Sequence, residues 1–552
     1  MEMTASRRWR SLAIIGVLVA TIAVAACSGN NGGSASDSSG SGAETAPPAA
    51  GDFDPNGVLR VGAPLQLVST LSLDPRVSSI SGETVWLSAL YAPLMRYTPS
   101  TGEFTPYLAE SVTTIDPKTV SVAIRPNAVF DNGQQMTAAD AKATIDAMKA
   151  NQAGGKAPGI QAGIQIIDSI EIVNDKTFVV HMARDGLGVI YELLSGRESY
   201  IVPASAGASQ NTAPIGTGAF KFESYIKGQK LKFTKSKTFF DQANVRLAGL
   251  ELLNLTEGTP QQNALLAGDI DITSGSAGGG LDPAGLAVLA RNRKFRTLTV
   301  PGNNFTYVDM CKAPGYILSD VRVRQALQYG TDRAALAKAI YGDESLATTQ
   351  EWAKGSPFYN PDLDAKYAYD PQKAKDLIKQ AGVEGGTIRL IWTTTDPTTQ
   401  NMALLVQQQW SQLGLKVQIT QTDDSVGDFF LPALSKSVKH DVFFAPFVRT
   451  PSTKLSLMFA PHVQRNVCGF EDPKILTAIE QLQGLNPTTP EAAATWKSIA
   501  DYVASIAAII PSTLRPQLVG YSDKVGGVTA DTGATGGTVS LQYTSLYIRT
   551  GP

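Results

Sequence analysis

The feature that most restricts the fold is a strand–helix–strand pattern late in the chain. Residues 387–394 read TIRLIWTT and residues 415–422 read LKVQITQT, both rich in β-formers. Between them, residues 401–414 read NMALLVQQQWSQLG, with helical apolar spacing and a terminal glycine. Two strands joined through a helix cannot form a hairpin. They are expected to lie parallel in one sheet as a βαβ unit, and such a sheet needs covering on both faces. The pattern predicts an α/β protein rather than a helical bundle.

The length of 552 residues exceeds what one core can serve, so two to three domains or lobes are expected. Hydrophobic content of 43% and charged content of 17% are ordinary for a folded soluble protein. Fifty glycines and 31 prolines imply many turns and irregular loops. A net charge of −2 offers no electrostatic footprint for nucleic acid.

Other segments fit a mixed architecture. Residues 58–75 read as a strand running into a loop. Residues 83–97 place Trp86, Leu87, Leu90 and Leu94 at helical spacing. Val120, Val122 and Ile124 alternate as a strand, and Asp131-Asn132-Gly133 marks a turn. Thr137 and Asp140 form a capping-box pair at the start of a helix. Hairpins are expected about Asn174-Asp175 and about Lys227-Gly228. Residues 320–342 read as two short helices, with Asp320 and either Thr331 or Asp332 as caps and Gly342 as a stop. Residues 370–382 read as another: Asp370 caps, Pro371 takes the first turn, Ala374, Leu377, Ile378 and Ala381 form one face, and Gly382 ends it.

The N-terminus reads as a targeting segment. Arg7, Arg8 and Arg10 precede the apolar residues 12–24, a run shorter than the roughly 20 residues that a membrane span needs. Residues 1–26 are expected to be a signal peptide. The ending Val24-Ala25-Ala26-Cys27 resembles the bacterial lipobox, in which the cysteine is lipidated and becomes the first mature residue. Ordinary cleavage near Ala26, with Cys27 an incidental thiol, is the alternative. Residues 27–56 then comprise the lipidated cysteine and a flexible linker, rich in Ser, Gly, Ala, Asn and Pro, whose few apolar groups cannot offset ordering entropy. Removing residues 1–26 deletes three arginines and one glutamate, which takes the charge from −2 to −4.

Two further cysteines, Cys311 and Cys468, suggest a disulfide in an oxidising compartment, with two buried thiols as the alternative. The histidines, His181, His440 and His462, show no metal-binding spacing, and no CxxC, G-x-S-x-G or Walker pattern occurs. The glycine-rich residues 274–280 lack the Lys-Ser/Thr of a phosphate loop. No catalytic constellation, metal site or cofactor is expected, so a binding protein is the better class. A cell-envelope hydrolase would require a clustered nucleophile and base.

Several segments together resemble the extracytoplasmic solute-binding proteins of ABC transporters, in the class (family 5) that includes oligopeptide- and dipeptide-binding proteins. The most specific are DVRVRQALQYGTDRAALAKAIYG (320–342) and YDPQKAKDLIKQAG (369–382). GEFTPYLAESV (102–112), RPNAVFDNGQQMTAADAKATIDAMK (125–149), APIGTGAFKFESY (213–225) and ALLAGDIDI (264–272) follow in the family's order. The resemblance implies a two-lobed, periplasmic-binding-protein-like α/β fold with a hinge and an extra α/β subdomain. Residues 57–93, 200–303 and 512–552 would form the main lobe, 94–199 the extra subdomain and 304–511 the second lobe. The hinge would lie near 303–310 and 509–516.

By the same resemblance a monomer, moored outside the cell through Cys27, would capture a peptide or peptide-like polar solute between its lobes and deliver it to ABC permease subunits. A tethered sensor or scaffold without transport would look the same in sequence. Ser79, Ile80 and Ser81 would contact the solute from the loop after the first strand. Phe305 and Tyr307 correspond to hinge aromatics. Phe447, Val448 and Arg449 match a cleft segment in which Phe447 takes a tryptophan position. Relatives place an acid shortly afterwards to pair with a peptide's amino group, but here Arg449-Thr450 stands there. An arginine would repel an ammonium and suit a carboxylate or other anion. No histidine falls in the expected cleft segments, which argues against a nickel-type cargo.

Overall fold

Parallel strands form the centre of the first sheet that the chain builds. In the computed structural model, Val58–Ala63 lies parallel to Gly249–Asn254 on one side and to Ile272–Thr273 on the other. The Phe220–Ile226/Lys230–Lys235 hairpin extends the sheet past Gly249–Asn254 and turns at Gly228, whose φ of 70° favours glycine. At the opposite edge, Gln517–Ser522 pairs antiparallel with Ile272–Thr273 and with Phe295–Val300. This seven-stranded sheet therefore draws on stretches of sequence hundreds of residues apart. The structure describes residues 52–65, 71–78, 83–98, 101–157, 160–255, 258–274, 281–300, 305–352, 354–393, 397–422, 440–447, 455–456, 458–460, 466, 468–529 and 541–551.

A second sheet has five strands, in the order Lys416–Thr422, Thr387–Thr393, Val442–Phe447, Phe305–Met310, Ile510–Leu514. The expected βαβ unit is its outer part: Thr387–Thr393 pairs parallel with Lys416–Thr422 through the helix Pro397–Ser411. That helix begins four residues before the expected start, because Pro397 occupies the first turn, where its missing N–H costs nothing. Alternate side chains of the strands go to opposite faces. Tyr307, Ile391 and Phe443 join a core with the helices Pro473–Gly484 and Pro490–Ser505. Val308, Met310, Leu390, Trp392, Val442 and Phe444 join another, with Val321–Tyr329, Pro371–Gln380 and Pro397–Ser411. Both faces are covered, as parallel pairing demands.

The third sheet is antiparallel: Ala109–Asp116, Thr119–Ile124, Thr177–Met182, Ile167–Asn174. The hairpin about Asn174-Asp175 forms here. The helix Ala138–Ala153 packs nearby and starts with the expected capping box, Thr137 and Asp140 each satisfying the other's backbone N–H. Its core is continuous with that of the seven-stranded sheet.

The two large sheets share one device. Arg60 clamps Asp271 through its backbone N–H, Nε and Nη2, the last at 2.6 Å. Arg389 clamps Asp441 through the same three groups, again at 2.6 Å from Nη2. In each case an arginine on one strand fixes the residue that leads into its neighbour, and bidentate geometry sets the register.

The caps at Asp320, Asp332 and Asp370 all accept backbone hydrogen bonds, and Gly342 and Gly382 adopt positive φ after their helices. One expectation fails. The helix foreseen over 83–97 stops at Leu90, and Met95–Thr98 is a strand paired with Glu103–Pro106. Pro93 lacks the N–H to continue the helix and pushes its predecessor out of helical geometry. No helix among the described residues is long and apolar enough to cross a membrane.

Candidate functional site

Two connections join the seven-stranded sheet to the five-stranded one. The chain leaves Phe295–Val300 for Phe305–Met310 and returns from Ile510–Leu514 to Gln517–Ser522. Val300 pairs with Gln517 on one side of the crossing, and Phe305 with Leu514 on the other. The ends of the two passages therefore lie side by side, one leading out of the seven-stranded sheet and the other back into it. Two passages whose ends pair in this way are the connectivity of a hinge between two lobes.

The end of these passages in the five-stranded sheet is tightly held. The buried Arg333 donates from Nε to Pro511 O at 2.7 Å and from Nη1 to Gln328 O at 3.1 Å and Tyr367 O at 3.3 Å, and its Nη2 donates to the Gln328 side chain. Burial pushes its pKa down to about 10, so it stays charged at neutral pH. Gln328 Nε2 donates to Ile509 O at 2.7 Å, and Ser512 Oγ to Thr306 O at 2.7 Å. The returning strand is thus fastened to the helices and to the outgoing strand. Nothing in the local sequence around Arg333 signals its hold on the returning strand, since Pro511 lies far along the chain.

The expected ligand contacts fare unevenly. Phe305 and Tyr307 are each 0% exposed and stack at 5.2 Å in the core on one face of the five-stranded sheet. With no exposed surface, neither can touch a solute in this conformation. They point inward because strand alternation assigns both to the face packed against Trp352 and Trp496. Phe447 is the last residue of its strand and lies opposite Phe305, at the hinge end of the sheet. Its side chain, together with Ser79, Ile80, Ser81, Val448 and Arg449, lies outside the described residues. Cys27 lies outside them too.

Sequence reasoning missed a second bridge. Arg184, just before the helix Leu187–Ser195, donates from Nη1 to Gln483 Oε1 at 2.8 Å, and Asn486 Nδ2 donates to Tyr191 Oη at 3.4 Å. The antiparallel-sheet region therefore touches the helix Pro473–Gly484 of the five-stranded unit directly, away from the hinge. Only tertiary packing brings these groups together.

A disulfide joins Cys311 to Cys468, with Cα atoms 5.2 Å apart. Beside it, Lys312 is buried, donates to Met310 O at 2.7 Å, pairs with Asp309 at 3.4 Å, and faces the rings of Phe459 and Phe470 at 5.6 and 5.1 Å. Burial holds its ammonium below the usual lysine range, an effect Asp309 opposes.

Comparison with known proteins matches this architecture. The chain is 26% identical over 374 residues to the dipeptide-binding protein of Escherichia coli (strain K12), a match covering 60% of this chain and 65% of that relative's length. NikA from Brucella suis, solved in complex with Fe(III)-EDTA, superposes with a TM-score of 0.77 at 21% identity, covering 89% of this chain and 100% of that one. DppA from Helicobacter pylori, solved with the peptide STSA, gives 0.71 at 19% identity, covering 90% and 99%. These likenesses establish the two-lobed α/β fold. The model of the bacterial extracellular solute-binding proteins, family 5, matches residues 103–456, and the chain belongs to that family of solute-binding proteins, which are not enzymes.

Proposed function

We propose that this protein is the lipid-anchored binding component of an ABC importer. It captures a peptide or a peptide-like polar solute between its lobes and hands it to a membrane permease. The observation that carries the reading is the pair of adjacent strand crossings, Val300/Gln517 and Phe305/Leu514, between two separately cored sheets. Each lobe supplies part of the contacts, so only the closed form makes them all, and the solute shifts the equilibrium by its extra affinity for that form. Going from nearly all open to nearly all closed takes about 5.5 kcal/mol of differential binding.

Sheet membership supports reading 57–93 and 200–303 as parts of the main lobe and 94–199 as the extra subdomain, but it moves the last boundary from 511/512 to beyond Leu514, because Ile510–Leu514 belongs to the five-stranded sheet and the chain rejoins the seven-stranded one at Gln517. Lipid on Cys27 would moor the body outside the cell, and the linker would let the cleft reach its permease. The sequence around Arg449, where an acid would bind a peptide ammonium, favours a solute with a carboxylate or other anion facing that position.

Native mass spectrometry of the purified chain, with the released solute identified, tests the reading. A bound peptide-like or polar organic molecule is expected. Scattering profiles that never contract with any candidate solute would refute the clamp. Arg449→Asp should weaken an anionic solute by at least about tenfold, the loss of one charge-assisted hydrogen bond. Unchanged affinity would show that Arg449 does not touch it.

A further inference from the structure

The disulfide has a third neighbour. Cys311 directly follows the strand Phe305–Met310, and its N–H donates to Asp441 O at 2.8 Å. His440 directly precedes Asp441, at the start of the adjacent antiparallel strand, where Met310 lies opposite Val442. Cys468 approaches from the segment leading into Pro473–Gly484. The two sulfurs and a ring nitrogen of His440 all lie within 4.8 Å of one another. Three distant stretches of sequence thus place two sulfurs and an imidazole at one point. Cys311 and His440 are buried and Cys468 half-buried, so one side of the cluster opens to solvent.

That set matches a known coordination chemistry. Zinc bound tetrahedrally, with Zn–S near 2.3 Å and Zn–N near 2.0 Å, holds its ligand atoms under about 4 Å apart. Two thiolates and one imidazole suit a borderline-soft d¹⁰ ion over hard oxygen-seeking cations. His440 is braced by an edge-to-face contact with Phe443, ring centroids 5.9 Å apart, so its ring is held beside the sulfurs. The carboxylate nearest in sequence to Cys311, that of Asp309, is committed to Met310 N–H and Lys312 and stands outside the set.

We propose that Cys311, Cys468 and His440 form a redox-conditional zinc site. In the oxidised chain the sulfurs bond to each other and the site is closed to metal. A phosphine reductant and water convert the disulfide to two thiols and a phosphine oxide. The two thiols release their protons to solvent as Zn²⁺ binds, neutral His440 supplies the third ligand, and water at the Cys468 side completes the tetrahedron. The metal then replaces the covalent cross-link in pinning the Cys468 segment to the sheet. Cys311 lies six residues beyond Phe305, about 20 Å along the strand at 3.4 Å per residue, at the end away from the Phe305–Leu514 pairing.

The test uses the full chain carrying Cys27→Ser, because the sequence has three cysteines and this leaves only the pair. After phosphine reduction, Co²⁺ alone is titrated as a spectroscopic probe, then displaced by Zn²⁺. One equivalent of Co²⁺ should give a thiolate charge-transfer band in the near ultraviolet and tetrahedral bands in the visible. The unreduced chain should give neither. His440→Ala and His440→Gln should lower affinity at least about tenfold, since even outer-shell changes cost 10–100-fold, and should alter the visible bands. Their oxidised forms, melting like the parent, show that the variants fold. A reduced chain without the charge-transfer band, or His440 variants with parental affinity and spectrum, overturns the proposal.

Discussion

Replacing Arg333 with methionine tests whether the hinge is anchored as described. The change removes hydrogen bonds to Pro511 O, Gln328 O, Tyr367 O and the Gln328 side chain, and keeps most of the stem packing. A bond from a charged donor contributes about 1.5–3 kcal/mol. Against this stands the cost of burying a guanidinium, several kcal/mol, which methionine avoids. The balance is an expected loss of about 2–4 kcal/mol, placed in the second lobe. Urea denaturation followed by tryptophan fluorescence reads that lobe, because Trp352, Trp392, Trp410 and Trp496 lie in its cores. With a slope of about 2 kcal/mol per molar, the midpoint should fall by about 1–2 M without a change in slope. Arg333→Lys should recover only part of the loss, because an ammonium cannot span carbonyls that a planar fork reaches together. A midpoint unchanged in Arg333→Met, or fully restored in Arg333→Lys, would refute the anchoring role.

Two further predictions follow from the structure. Burial raises the Asp131 carboxyl from 3.8 to about 6, with Lys221 opposing, so the folded chain binds a proton more readily than the unfolded one. Asp131 therefore makes stability fall as pH rises through roughly 4 to 6. Thermal melts across that window should fall less, or rise more, with pH in Asp131→Asn than in the parent, and an identical slope would exclude Asp131 as a source. Arg184→Ala removes the exposed bond to Gln483, about 0.5 kcal/mol, and should lower the closure constant roughly twofold. Because the solute-free chain is nearly all open, the apparent affinity for solute should fall by the same factor in a calorimetric titration, and an unchanged affinity would mean that the contact does not bias closure.

Much of the fold was legible locally. The caps at Asp320, Asp332 and Asp370, the Thr137–Asp140 box and the glycines after the helices act within a few residues, so their signals sit in short windows of sequence. Pro93 carries an equally local signal against the long helix, which the apolar spacing of Trp86, Leu90 and Leu94 hides. The site was less legible. Phe305 and Tyr307 look like aromatic platforms in sequence, yet the pleat turns both inward, and periodicity alone cannot say which face of a doubly covered sheet is which.

Short-range signals along the chain were enough to determine an α/β architecture, and the order of its landmark segments was enough for the resemblance to family 5 solute-binding proteins. Helix caps, turn residues and the βαβ spacing are consequences of backbone chemistry between near neighbours. Tertiary structure alone decided what meets across long separations: Arg333 with Pro511, Arg184 with Gln483, and His440 with Cys311 and Cys468. Those encounters depend on sheet order and on which strands carry the chain between lobes, and no local stretch of residues encodes either.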